Sequence, residues 1–177
     1  MNILIIILLI IISIIVLVFI IALFIKKEHY VKKSIIINAP KQKVFDYLKF
    51  IKNQEAFNTN AMEDASRKKE FRGTDGTIGY IYSWSGNKDA GEGEKEIKNI
   101  VEGEKIEMEI RFVKPMKAIG HIVMETKSLP DNETEVTWSN AGRLNYPLNI
   151  LVPMVEKHVV RDMTISFATL KNILEKR

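Results

Sequence analysis

The last thirty residues constrain this chain more than any other stretch. Between Pro147 and Lys176, the residues Leu148, Leu151, Val152, Val155, Val159, Met163, Leu170, Ile173 and Leu174 share one broad stripe of a helical wheel. Lys157, Arg161, Thr164, Ala168 and Lys171 fall on the opposite side. Pro147 and Pro153 sit in the opening turns, where a missing N–H is tolerated. The pattern predicts one amphipathic helix, roughly 35 Å long at about 1.5 Å per residue. Most of what lies between it and the N-terminal run reads as strand, so the helix needs a curved sheet to receive its apolar face.

The first 25 residues belong to a different solvent. Ile3 to Ile25 is apolar throughout except for Ser13, which exceeds the ~20 residues a bilayer core requires. No Lys or Arg precedes the run, and no small-x-small cleavage site lies near Ala22, so 1–25 is expected to be an uncleaved membrane anchor rather than a signal peptide. Lys26, Lys27, Lys32 and Lys33 follow it, opposed only by Glu28. The positive-inside rule then predicts a single-pass protein with its domain in the cytoplasm, and the same lysines suit anionic head groups. Residues 26–33 read as a basic juxtamembrane tether, and 34–177 as one domain with a single core.

Composition removes several function classes. A net charge of +4 with no basic stripe interleaved with aromatics argues against nucleic acid. The chain has no cysteine, which excludes disulfides, thiolate catalysis and Cys-ligated zinc. His29, His121 and His158 lack ligand spacing, so no metal is expected. Gly73, Gly76 and Gly79 precede a strand rather than a helix, and no phosphate-cradling loop or other cofactor motif is present.

Along the domain, Ser34 to Asn38 is a β-branched run that reads as the first strand. Pro40 opens a helix carrying Val44, Phe45, Leu48 and Ile51, with a second short helical piece over Gln54 to Phe57. Met62 to Arg72 has no clear period. Ile78, Tyr80, Tyr82 and Trp84 alternate as one face of a strand, and Ser85 to Gly91 is turn chemistry. Next, Glu92, Glu94 and Glu96 point away from Gly91, Gly93, Lys95 and Ile97. Ile106, Met108, Ile110 and Phe112 then alternate with Glu107, Glu109 and Arg111 in a half-buried strand. Lys117 to Ser128 is a strand apolar on both sides, so its facing stays open. After a turn at Pro130, Val136 and Trp138 point inward. Strands segregated from helices predict an α+β fold.

The segment Tyr82-Ser-Trp-Ser-Gly-Asn-Lys-Asp-Ala-Gly-Glu-Gly resembles a hairpin of polyketide cyclase/dehydrase-type members of the START-like (SRPBCC) superfamily. Asn38-Ala-Pro with Val44-Phe45, Phe112 to Pro115, Thr134-Glu-Val-Thr-Trp138 with Gly142, and Asp162 through Glu175 match in the same order. The resemblance spans Ser34 to Lys176 and implies the helix-grip fold, a curved antiparallel sheet wrapped round a C-terminal helix. It also implies a cavity for lipids, sterols, polyketides or other hydrophobic molecules, with chemistry in a minority of members. Two departures stand out: Phe57 alone represents the aromatic of the second helix, and Lys95 occupies an apolar position.

Tyr80, Tyr82, Trp84, Met108, Ile110, Phe112 and Trp138 are expected to form the ligand-facing wall, with Val159, Met163, Asp162 and Ser166 opposite on the helix. Asp162 and Ser166 stand four apart within or beside the apolar stripe, where a carboxylate must be hydrogen-bonded, paired or shifted in pKa. Asp162, or a tyrosine of the facing wall, is the candidate acid/base, against a plain structural role for Asp162 bonding Ser166 or a nearby base. Glu156 is expected to reach solvent near the helix start, and Lys95 to run its stem out of the sheet rim. The sequence supports a binder of a lipid or other hydrophobic small molecule, with a cyclase/dehydratase and a protein-interaction module as alternatives.

Overall fold

The computed structural model describes residues 3–59, 67–86 and 91–176. Helix α1 (Ile3–Phe24) is 22 residues long, with every described side chain except Ala22 exposed. By length and composition it is apolar enough to cross a membrane. After it come β1 (Glu28–Ile37), α2 (Lys41–Lys49), α3 (Ile51–Gln54), β2 (Lys68–Arg72), β3 (Ile81–Ser85) and β4 (Glu92–Val101). The chain continues through β5 (Lys105–Lys114), β6 (Ala118–Ser128), β7 (Thr134–Arg143) and α4 (Val152–Glu175).

The strands form one antiparallel sheet in the order β1-β7-β6-β5-β4-β3-β2. Strands β2 to β7 follow each other as neighbours, and β1 closes the far edge beside β7. The period-2 alternation selects the concave face. Tyr82, Trp84, Lys95, Ile97, Ile106, Met108, Ile122, Met124, Val136 and Trp138 are buried there. On the outer face, Arg111 reaches Glu94 at 2.7 Å, Glu96 at 2.8 Å and also Glu109, which gathers the glutamates of β4 and β5. In β6 the inward set is Gly120, Ile122, Met124 and Thr126, while Ile119 and His121 point out. Alternation alone left this open, because both sides carry apolar residues.

Val44, Phe45, Leu48 and Ile51 are buried, as their helical spacing predicts, and with buried Phe57 they roof part of the concavity. The short second helix is α3, three residues earlier than expected, with turns running on to Phe57. Asp75 accounts for the start of α3: its carboxylate accepts from the N–H groups of Ile51 at 2.8 Å and Lys52 at 3.1 Å.

Several expectations need correction. Strand β1 begins at Glu28, not Ser34, and pairs with β7 from Glu28↔Arg143 to Ile37↔Thr134. Lys33 masks this alternation, yet its ammonium bonds Thr164 Oγ1 on α4 and its stem follows the helix. Strand β2 had no period because it is an edge strand exposed along its length. The rest of the ambiguous stretch, 62–66, and the middle of the expected turn, 87–90, lie outside the described residues.

The terminal helix starts with a 3₁₀ turn over Leu148–Leu151, and α4 proper opens at Val152. Its buried stripe is Val152, Asp162, Met163, Ser166, Phe167, Leu170 and Leu174. Val159 is only half-buried and Leu148 is exposed, whereas Phe167, absent from the expected stripe, is buried. The physical reason is that α4 packs chiefly along β1 at one side of the sheet. That rotates its buried face and leaves the β3–β5 half of the concavity to α3 and the chain after it.

The root of α1 is fastened to the domain. Asn149 Nδ2 donates to the carbonyls of Ala22 and Ile25, both at 2.6 Å, capping the helix end. Tyr146 packs edge-on against Phe19 with ring centroids 5.9 Å apart, and Leu144 N–H bonds Lys27 O at 2.8 Å.

Candidate functional site

An aromatic ladder forms one wall of the concave face. Phe71 stacks on Tyr82 at 5.5 Å, Tyr82 on Trp84 at 5.8 Å, and Trp84 meets Phe112 edge-on at 6.0 Å. The sequence explains the tight fit of Trp84. Opposite it in β4 is Gly93, and a Cβ there would lie 2.7 Å from the indole and 2.6 Å from the Arg111 carbonyl oxygen. At the other side of the concave face, Trp138 packs edge-on against Phe167 at 5.9 Å. Tyr80 and Met108 are buried deeper in the same face. Ile110 is half-buried, and Phe112 is 39% exposed at the rim by the root of α1, so it is less a core residue than expected.

The polar residues of this face cluster on β3, β4, α3 with the turn after it, and the residue just before β2. Lys95, expected to leave the sheet at its rim, is instead 8% exposed. Its neighbours across the sheet are Tyr82 and Ile110, and its ammonium donates to Gln54 Oε1 at 3.3 Å. Gln54 is fixed in turn by donating to Leu48 O at 2.9 Å. Burial, and after it the nearby Arg67 guanidinium, lower the pKa of the Lys95 ammonium to about 8, with Glu55 partly opposing both.

Arg67 is 9% exposed, and its Nε is buried without a hydrogen-bond partner. The Tyr80 and Tyr82 hydroxyls are buried in the same condition. Tyr80 is pushed up to about 12 by burial, then by the Asp75 and Glu55 charges. Tyr82 is raised further, first by burial and then by the Glu55 carboxylate it faces. Sequence reasoning missed Gln54, Glu55 and Arg67. They sit on a short helix, a turn and a loop, where no periodicity marks an inward direction.

On α4, Asp162 is 5% exposed and lies 3.0 Å from Nε2 of His158, one turn earlier. Among the described residues no other side chain engages its carboxylate. Ser166 is tied to the chain after α3: its Oγ accepts from the Thr59 N–H at 3.1 Å and exchanges a second bond of 3.1 Å with Thr59 Oγ1. Of the two structural partners expected for Asp162, Ser166 or a nearby base, its carboxylate lies beside the base His158, while Ser166 makes its two bonds to Thr59. Met163 is buried between helix and sheet. Glu156 pairs with Lys26 at 2.6 Å, which holds its carboxyl below the usual range.

A second concavity of about 1430 Å³ opens at the root of α1 on the sheet's strand ends. Its walls mix apolar Ile25, Phe112, Val113 and Ile119 with basic Lys26, Lys27, Lys117 and Arg143. No group of His, Asp or Glu suited to a metal ion occurs among the described residues.

By sequence, no family model and no curated protein matches the chain. Solved structures do match. Truncated norcoclaurine synthase from Thalictrum flavum superposes with a TM-score of 0.64 at 10% identity, covering 85% of this chain and 96% of that one. Ara h 8.0201 gives 0.59 at 12%, covering 83% and 97%. The Aha1 dimer from Colwellia psychrerythraea gives 0.57 at 14%, covering 83% and 96%. The chain has the START-like helix-grip fold, with α1 added before it.

Proposed function

We propose that the protein holds a lipid or other hydrophobic small molecule against its concave face, at a membrane to which α1 anchors it. The observation that carries the reading is the composition of that face. A ladder of aromatic rings from Phe71 to Phe112 is interrupted only by a compact polar cluster around Lys95. A largely apolar surface with a few polar groups is what orients an amphipathic small molecule. The START-like fold supports it, since the resemblance implies hydrophobic ligands.

The anchor reading rests on the length and apolarity of α1, the exposure of its side chains and the lysines that follow it. Those lysines support a domain on the cytoplasmic side. Because the Asn149 cap holds α1 against the 3₁₀ turn, the exposed rim residue Phe112 lies at the membrane end of the sheet, where a ligand leaving the bilayer arrives. Likeness to a synthase raises an enzyme as the other reading. It has less support, because the titratable neighbour of the buried Asp162 carboxylate among the described residues, His158 at 3.0 Å, lies on the exposed side of α4 and not on the concave face.

The test is native mass spectrometry of the full chain extracted with its own membrane. A co-purifying amphiphile is expected. Phe112→Ala and Trp84→Ala should lose it while keeping a cooperative melt. Recovery of a bare chain, together with no uptake of a hydrophobic fluorescent probe, overturns the reading.

A further inference from the structure

The polar cluster on β4 is unbalanced in two ways. Lys95 and Arg67 are cations, each at least nine-tenths buried, and the nearby carboxylate, Glu55, already lies 3.0 Å from Nζ of a third cation, Lys69. Asp75, whose charge reaches Tyr80, is spent on the backbone N–H groups of Ile51, Lys52 and Gly76. The cluster is therefore net positive among the described residues.

The second imbalance is in hydrogen bonding. Arg67 Nε and the Tyr80 hydroxyl are buried with donors unspent, the Tyr82 hydroxyl has only the Glu55 carboxylate that Lys69 already engages, and Lys95 Nζ donates once, over 3.3 Å, to neutral Gln54. Buried donors without acceptors are costly, and structures seldom leave several together. Among the described residues, no free carboxylate is left to supply the cluster with a negatively charged acceptor of more than one oxygen.

We propose that Lys95, Arg67, Tyr80 and Tyr82 form the seat of an acidic head group, a carboxylate or a phosphate, at the end of an amphiphile whose apolar part lies along the Trp84–Phe112 end of the ladder. The register supports the arrangement. Tyr82 and Lys95 are direct partners, and two residues nearer the α1 root, Trp84, Gly93 and Phe112 make the apolar rim. The inference rests on the reading that the concave face holds an amphiphile.

The experiment places the full chain in nanodiscs of neutral phosphatidylcholine and titrates off an anthroyloxy-labelled palmitate with three competitors. These are palmitate, lysophosphatidate and hexadecanol, with empty nanodiscs subtracted. The acids should displace the probe at least about tenfold more strongly than the alcohol, the expected worth of hydrogen bonds to a charged group. The stronger acid distinguishes carboxylate from phosphate. Lys95→Met and Arg67→Met should each reduce the preference to within about twofold, with thermal melts confirming the fold, while Lys95→Arg restores it. Equal displacement by all three competitors, or an acid preference that survives Lys95→Met, overturns the anionic seat and leaves the apolar binding reading intact. Failure of every competitor and of the probe removes the binding reading, and the seat with it.

Discussion

An ammonium taken out of water without a counter-ion costs free energy that the fold must supply elsewhere. Lys95 pays this cost in the free domain: burial first, then Arg67, lowers it from 10.5 to about 8, with Glu55 opposing and the Tyr82 hydroxyl and Gln54 as its remaining close polar neighbours. The sign follows from proton counting. Between the two values the unfolded chain binds the proton and the folded one does not, so stability rises with pH across that window. The penalty is complete below about 8 and vanishes above 10.5. Lys95→Met should therefore stabilise the ligand-free protein at neutral pH by about 3 kcal/mol. The gap between variant and wild type should close as pH rises from 8 towards 10, measured by urea unfolding. A gap independent of pH would mean the ammonium reaches solvent.

A second residue-scale prediction concerns Gly93. The Cβ in Gly93→Ala would press on the Trp84 ring and the Arg111 carbonyl, and the carbonyl belongs to a paired strand that cannot move aside. A loss of about 1–3 kcal/mol with altered tryptophan emission is expected.

At the scale of the element, α4 shows how packing chooses among the apolar residues of a helix. Phe167 is buried against Trp138, while Val159 is half-buried. Phe167→Ala should cost about 3–5 kcal/mol, and Val159→Ala about 1 or less, in thermal melts of the full chain. Equal costs would mean that the helix is rotated from the orientation described. The root of α1 is the other element held by a few bonds. Asn149→Ala removes both bonds to the Ala22 and Ile25 carbonyls. Proteolysis after Lys26 or Lys27 should then quicken several-fold, consistent with a loss of about 1–3 kcal/mol, with the domain's own melt little changed.

For the whole molecule, the junction fixes how the domain sits. The strand ends near α1 present exposed Val113 and Ile119 beside Lys27 and Lys117, which have no ion-pair partner among the described residues. If α1 spans the membrane, this edge rests on the leaflet, and each lysine near an anionic surface contributes about 1 kcal/mol. Hydrogen exchange over 113–119 should be slower in nanodiscs containing phosphatidylglycerol than in neutral ones, and Lys27→Gln with Lys117→Gln should remove the difference. Protease added to intact cells should spare the domain. Digestion without permeabilisation would reverse the orientation.

Residue chemistry alone determined the apolar span, the alternation that turns Tyr82, Trp84, Met108 and Trp138 inward, and a terminal helix for the sheet to hold. These are local periodicities, set by the geometry of a strand or helix whatever it packs against. Tertiary structure alone decided which helix face is buried, because α4 lies along β1. It also turned Lys33 from tether into strand, and resolved the two apolar sides of β6. The polar cluster was the least legible part. It joins Gln54, Glu55, Arg67, Tyr80, Tyr82 and Lys95 from four separate pieces of chain, and no sequence pattern encodes a meeting brought about by the curvature of a sheet.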